Sequence, residues 1–366
     1  LSSAASDVYK RQVLTGGGTA GHVTPNIALL PKLRELGYDI HYIGSYEGIE
    51  KKLIEDVNVP YYGIASGKLR RYFDPKNFSD PFRVLKGYGE ARKILKKLKP
   101  DVVFSKGGFV AVPVVLAAKH LHIPVIIHES DMTPGLANKI SLSAATKVCC
   151  NFPETVPYLP AGKAVLTGCP IRQELKEGSR AAALAMTGFT EGKPIMLVMG
   201  GSLGAVAVNQ AVRDALPELL QTFQIIHLCG KGKLDESLKG TPGYVQYEYI
   251  QKELADLFAA CDLVVSRAGA NAICELLALR KPALLIPLSA KASRGDQILN
   301  ARSFERQGFS MLLEEESLTK ETFLAAVQNL YTHRQDYIHA MEECPQSDAI
   351  GTIMGLLNEV TTSSKH

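Results

Sequence analysis

Five short stretches of this sequence gather residue types that bind anions, sugars or protons. The first is Thr15-Gly16-Gly17-Gly18-Thr19-Ala20-Gly21-His22. Glycines let a backbone approach a ligand closely, and a helix that follows such a turn offers unpaired N–H groups to a diphosphate. The spacing departs from G-x-G-x-x-G, and Ile43-Gly44-Ser45 stands where a ribose-binding acid would close the second strand, so a redox dinucleotide is not indicated. The plain alternative is a tight turn needed only for folding. The second stretch, Gly200-Gly201-Ser202-Leu203-Gly204-Ala205, puts a hydroxyl where it serves a phosphate or caps a helix. The third, Ser266 to Glu275, carries Gly269, Ala270, Asn271 and Ala272 into a helix, with Glu275 about a turn on to accept ribose hydroxyls or face solvent. The fourth, Ser293 to Ala301, holds Asp296, Gln297 and Asn300, which suit sugar hydroxyls or ordinary capping. The fifth is His128-Glu129-Ser130-Asp131, followed by Asn138, where imidazole and acids end a strand and suit proton transfer, hydroxyl binding or capping. Lys106-Gly107-Gly108 ends another strand on the same rim.

Other chemistries lack support. There is no G-x-S-x-G, no D-x-D and no metal-ligand spacing, so neither a metal nor another cofactor is expected. The seven cysteines form no C-x-x-C pair, which fits a reducing compartment. The 366 residues suggest two or three domains, with 46% hydrophobic and 21% charged residues as in soluble globular chains. The apolar run Val110 to Ala118 has nine residues, against about 20 for a membrane span. Residues 1–12 lack a signal-peptide core and fit poorly onto the following strand, so they are set aside as a non-native leader.

The net charge of +4 is uneven: residues 1–166 carry 22 Lys+Arg against 14 Asp+Glu. Much of the excess lies between Lys68 and Lys99, with 11 basic and 3 acidic residues. There Val84, Tyr88, Ala91, Leu95 and Leu98 mark one helical face, and Lys86, Arg92, Lys93, Lys96 and Lys97 fall elsewhere. Tyr72, Phe73, Phe78 and Phe82 precede or open it. Cations beside aromatics suit an anionic membrane surface. The plain alternative is a helix with a solvated basic face. No nucleic-acid motif accompanies the patch, so no nucleic-acid partner is expected.

Short apolar runs alternate with amphipathic stretches along the whole chain. Strands are expected at Val13–Thr15, Ile40–Ile43, Tyr61–Ala65, Val102–Ser105, Val125–His128, Val148–Cys150 and Ala164–Thr167. The second half adds Ile195–Met199, Gln224–Leu228, Tyr244–Glu248, Leu263–Ser266 and Ala283–Pro287. Helices between them include Pro25–Leu36, Phe109–His120, Ala205–Leu220, Lys252–Ala260, Asn271–Leu279 and Gln297–Gln307. This alternation predicts an α/β protein of two Rossmann-like domains, 13–166 and 194–345, with parallel sheets facing across a cleft. The breaker-rich 167–193 reads as the linker, and ligands bind at the carboxyl ends of such strands.

Taken in order, GGGTAGHVTPNIAL, SKGGFVAVPVVLAA, HESDMTPGLANK, GGSLGA and RAGANAICE resemble the MurG family, from about Val13 to the C-terminus. These are GT-B glycosyltransferases of family 28. The resemblance implies transfer of N-acetylglucosamine from UDP-GlcNAc to the C4 hydroxyl of MurNAc in undecaprenyl-pyrophosphoryl-MurNAc-pentapeptide, converting lipid I to lipid II with inversion. It implies that 346–366 is a helix crossing back to the first domain. In the second domain Ser202 would contact the diphosphate, Ile250 uracil and Glu275 ribose. Ala270, Asn271 and Ala272 would line the phosphate path, and Gln297 with Asp296 would read the sugar. Arg172 would reach the nucleotide. In the first domain Thr19, Ala20, Gly21 and His22 would face the transferred sugar and the acceptor diphosphate. Residues 68–99 would be the peripheral contact with the cytoplasmic face of the plasma membrane, and other cell-wall synthesis proteins would be partners. Ala20 replaces a frequent family glycine, which is tolerable only at negative φ. Asp131 stands where some members have Asn. His22, with an ordinary pKa near 6.5, is the favoured base, with Glu129 and Asp131 as rivals. Alternatives are a GT-B enzyme with another lipid acceptor, a UDP-GlcNAc 2-epimerase, or a non-catalytic sugar-nucleotide sensor.

Overall fold

The structure, a computed structural model, describes residues 10–67, 80–200, 205–250, 252–290, 295–344 and 348–363. The chain divides into two compact units. One comprises Leu1–Arg172 with Asp348–His366, the other Gln173–Ser347.

The first unit is built on seven strands: β1 (Arg11–Thr15), β2 (Asp39–Ser45), β3 (Tyr61–Ile64), β4 (Val102–Ser105), β5 (Val125–Glu129), β6 (Lys147–Cys150) and β7 (Ala164–Leu166). They form one parallel sheet in the order β3-β2-β1-β4-β5-β6-β7. Strands covered on both faces must be apolar throughout, and every residue of β4 and β5 is buried. The covering helices are α1 (Thr24–Glu35), α2 (Ile49–Glu55), α3 (Asp80–Leu98), α4 (Ala111–His120) and α5 (Leu136–Ser141). The strand order reverses between β1 and β4, which places a binding crevice at their carboxyl ends.

The second unit carries β8 (Ile195–Met199), β9 (Gln224–Leu228), β10 (Tyr244–Tyr247), β11 (Leu263–Ser266), β12 (Ala283–Leu285) and β13 (Met311–Leu312). Its parallel sheet runs β10-β9-β8-β11-β12-β13, so the switch point falls between β8 and β11. Its helices in chain order are α6 (Arg180–Thr187), α7 (Val206–Asp214), α8 (Leu216–Thr222), α9 (Leu254–Ala260), α10 (Ala270–Ala278), α11 (Asp296–Arg306), α12 (Lys320–Thr332) and α13 (Arg334–Glu342). The last helix, α14 (Ala349–Ser363), belongs to the first unit. Its Ile350, Ile353, Met354, Leu357 and Val360 recur every three or four residues and join the core beneath α1.

Three expectations need correction. Arg11 and Gln12 are not part of a detached leader, because they open β1 in register with Asp39 and Ile40. Backbone pairing extends the strand past its apolar run. Arg11 secures that end: its N–H donates to Asp101 Oδ2 at 2.7 Å and its Nε to Asp39 Oδ2 at 2.5 Å. Next, the stretch Ala205–Leu220 is not one helix. It breaks at Ala215, because Pro217 sits in the first turn of α8, where its missing N–H costs nothing. Finally, 167–193 is not all linker. Ser179 Oγ accepts the Ala182 N–H at 3.2 Å to start α6, and Gly188 ends it in the left-handed region. Of the residues read as breakers there, Gly188 is a helix cap.

Candidate active site

The Gly-rich turn after β1 is held rigidly from below. Tyr42 OH donates to the Gly16 carbonyl at 2.7 Å, and Asn26 Nδ2 donates to the Thr15 carbonyl at 3.2 Å. Glu50, fully buried in the first turn of α2, accepts the Gly18 N–H on Oε2 at 3.2 Å and the Ser45 N–H on Oε1 at 3.0 Å. Ser45 Oγ donates to the same Oε1. Gly17 is bare for this reason, since a Cβ there would lie 2.5 Å from the Glu50 carboxyl carbon. On the other side comes the turn after β4. Gly108 sits at φ +84°, and a Cβ on it would lie 2.3 Å from the Gly17 carbonyl oxygen. Only glycine meets both demands.

Thr19, Ala20 and Gly21 lie exposed along the turn, and a short 3₁₀ segment, Ala20–His22, delivers His22 to its end. Ala20 keeps a negative φ, so its methyl group is accommodated. His22 Nδ1 lies 3.1 Å from Thr19 Oγ1. The imidazole does not have an ordinary pKa: burial first, then the nearby Lys106 ammonium, hold it down to about 4, against smaller opposing effects of the Gly17 carbonyl and Glu50. His22 is therefore neutral at physiological pH. With Gly17, Gly18, Thr19, Ser45, Tyr46, Glu50, Arg83 and Lys86 it lines a cavity of about 900 Å³.

The fifth stretch is more committed than its sequence suggests. His128 is fully buried. Its Nδ1 lies 2.8 Å from Lys106 Nζ and its Nε2 2.8 Å from the Gly168 carbonyl. A neutral ring donates from Nε2 and accepts on Nδ1, and burial with the Lys106 charge pushes its pKa well below the usual value. Glu129 is also buried. Its Oε1 accepts the Asp131 N–H at 3.0 Å, and its Oε2 accepts the Gly135 N–H at 3.1 Å and Asn138 Nδ2 at 2.7 Å. It thus holds the start of α5. Asp131 is half-buried beside it.

In the second unit most of the expected site residues lie around the carboxyl ends of β11 and β12. Helix α10 starts after Gly269, which has no side chain to cap the helix, so Ala270, Asn271 and Ala272 begin it. Asn271 and Glu275 are four residues apart, which puts both half-buried side chains on one face. Gln297 Oε1 accepts the Leu288 N–H at 3.0 Å, and buried Asn300 donates to the Ala268 carbonyl at 3.2 Å. These bonds fix α11, and with it Asp296, against the strand ends. Ile250 is half-buried after β10, and Arg172 is the last residue of the first unit. Ser202 lies outside the described residues.

Helix α3 buries Ala91, Leu95 and Leu98, with Val84 and Tyr88 half-buried, as the spacing predicts. Lys86, Lys93, Lys96 and Lys97 are exposed and Arg92 is half-buried. Phe82 is 75% exposed and Leu85 67%. Tyr72, Phe73 and Phe78 lie outside the described residues. Among those described, no helix is long and apolar enough to cross a membrane. Sequence reasoning missed Glu50, Tyr42, Asn26 and Leu85. Only the G-G-G run, which needs something to close around, hinted at the first three.

Two parallel-sheet units, each with one switch point, make this a protein of two Rossmann-like domains, the GT-B class of fold. Residues 12–150 match the glycosyltransferase family 28 N-terminal domain, and residues 195–353 match its C-terminal domain. A Lachnospira eligens protein named UDP-N-acetylglucosamine--N-acetylmuramyl-(pentapeptide) pyrophosphoryl-undecaprenol N-acetylglucosamine transferase is 68% identical over 350 residues, 96% of this chain and 99% of that one. A Lachnoclostridium phytofermentans protein of the same name is 66% identical, again over 96% and 99%. The crystal structure of Acinetobacter baumannii MurG is 27% identical with a TM-score of 0.75, covering 96% of this chain and 99% of that one. The chain belongs to glycosyltransferase family 28 and, within it, to the MurG family.

The close approach of the two turns makes a sharp prediction. Gly108→Ala places a methyl against backbone at positive φ, so transfer should fall roughly 100-fold, as for a misplaced site, and unfolding should occur at lower temperature. Steady-state rates with a thermal melt check this. Wild-type values for both would contradict the packing described.

Proposed function

We propose that this protein transfers N-acetylglucosamine from UDP-GlcNAc to the C4 hydroxyl of the muramyl sugar of lipid I, giving lipid II. The observation that carries this is full-length similarity at 68% identity to a transferase named for that reaction. The second unit is the donor-binding part: Glu275 for ribose, Ile250 for uracil, Ser202 and the start of α10 for the diphosphate, Asp296 and Gln297 for the sugar. Arg172 approaches the same nucleotide. N–H groups at a helix start stabilise the negative charge that builds on departing UDP.

The first unit supplies the base and the acceptor site. The acceptor oxygen attacks the anomeric carbon as the bond from that carbon to the UDP oxygen breaks, and the hydroxyl proton passes to His22. A neutral imidazole has one donor and one acceptor nitrogen. Glu129, both of whose oxygens accept hydrogen bonds, positions the loop that carries Asp131 and Asn138 toward the acceptor. The low pKa means the base form persists far into acid.

The peripheral membrane contact is read from α3, where exposed Phe82 and Leu85 stand among cations. Each Lys or Arg near an anionic leaflet contributes about 1 kcal/mol. This favours the cytoplasmic leaflet, where lipid I is presented and other cell-wall synthesis proteins meet the enzyme.

UDP release should be acceptor-dependent, requiring a lipid I analogue. His22→Ala should lower it by roughly 10²–10⁴, the range of one general base, with donor binding retained. Release without acceptor would point to an epimerase or hydrolase, and donor binding without release to a sensor. In wild type, kcat/KM should hold steady as pH falls through 6.5 and decline only toward about 4, because that is where His22 takes up its proton. A limb centred at 6.5 would contradict the base assignment. Phe82→Ser with Leu85→Ser should weaken sedimentation with phosphatidylglycerol vesicles severalfold, and added salt should weaken it further. Unchanged sedimentation would remove α3 from the contact.

A further inference from the structure

Two buried, oppositely charged side chains flank the Gly-rich turn. Glu50 closes on it from α2: it takes the Gly18 N–H, the Ser45 N–H and the Ser45 hydroxyl, and it fills the space a Cβ on Gly17 or Gly48 would need. Lys106 closes from the turn after β4. It is 1% exposed, its backbone N–H donates to the Thr15 carbonyl at 2.9 Å, and its Cβ would lie 3.2 Å from a Cβ on Gly16. Its ammonium lies 2.8 Å from His128 Nδ1 and donates to Ser130 Oγ.

We propose that Glu50 and Lys106 are positioning residues of the transfer reaction, closing on the Gly-rich turn from opposite sides so that His22 is held in place. The inference rests on His22 being the base. Both charges act on His22, Lys106 against protonation and Glu50 for it, with Lys106 the stronger of the two. The other titratable groups packed around the clamp stay neutral. Burial raises the affinities of Tyr42 and Tyr61 beside Glu50, and pushes Cys149 near Lys106 up to about 12. His128 is held neutral by burial and by Lys106 itself. Arg83, Lys86 and Glu47 line the same cavity farther along, and those facing water are screened.

The test pairs histidine NMR titration between pH 5 and 8 with transfer kinetics at saturating UDP-GlcNAc. The His22 signal is assigned by its loss in His22→Ala. In wild type that signal should not titrate in this window. In Lys106→Met the onset of its titration should enter this window from below, since burial still holds it under the ordinary value, and activity should weaken at the acid end to match. In Glu50→Gln it should stay flat, while kcat falls roughly tenfold or more as the turn shifts and the donor KM is unchanged. A His22 signal identical in wild type and Lys106→Met, or a wild-type kcat in Glu50→Gln, overturns the clamp. If Glu50→Gln does not fold, Ser45→Ala removes only the hydroxyl bond: a severalfold loss of kcat with an unchanged melt supports the clamp, and no loss overturns it. His22→Ala separates the two readings. A wild-type rate there ends the base assignment, while the titration arm still decides whether the clamp sets the proton affinity of His22.

Discussion

The carbonyl oxygen of Gly17 lies where a side chain on Gly108 would have to go, and that approach decides where every polar group of the first unit's site can stand. It occurs between β1 and β4, where the strand order reverses and two crossover connections leave in opposite directions. Two turns that would normally diverge are brought into van der Waals contact. Tyr42, Asn26 and Glu50 then bind the backbone of the first turn, and Asn138 lies under the second, with Oδ1 2.9 Å from where a Cβ on Gly107 would sit. His22 is carried by the first turn and Lys106 by the second, so the distance between base and buried cation follows from backbone packing rather than from side-chain flexibility.

Under the proposed function the two units use different physics for different partners. In the second unit the side chains best suited to a sugar nucleotide are tied to strand ends by their own hydrogen bonds: Gln297 to Leu288 and Asn300 to Ala268. That preorganises them. In the first unit the cavity is wide, lined by exposed Tyr46 and Ile49 as well as by Arg83 and Lys86. Such a lining suits an acceptor that is part sugar, part diphosphate and part lipid.

Much of this was legible in the sequence because parallel strands buried on both faces leave unbroken apolar runs. β4, β8, β9 and β11 fall on the expected residues. What was not legible has physical reasons. The start of β1 depends on backbone pairing, which Arg11 and Gln12 do not advertise. Glu50 sits in GIEKKLIED, which reads as a solvated helix, and only the folded chain aims it at Gly18. Glu129 and His128 were visible as polar groups at a strand end, but their hydrogen bonds to Gly135, Asn138 and Gly168 could not be read from spacing. The lowered pKa of His22 comes from burial first and then from Lys106, which lies 84 positions away in the chain.

The central claim is that the imidazole of His22 takes the acceptor proton. Chemical rescue tests it most directly, because the cavity beside His22 is large enough to admit a free ring. His22→Ala would be assayed for lipid II formation with imidazole added at constant ionic strength, above and below its pKa. The account predicts that neutral imidazole restores part of the rate, rising with its concentration and falling away as it becomes protonated. No rescue in a variant that still binds UDP-GlcNAc and the lipid I analogue, or rescue independent of imidazole protonation, would contradict it.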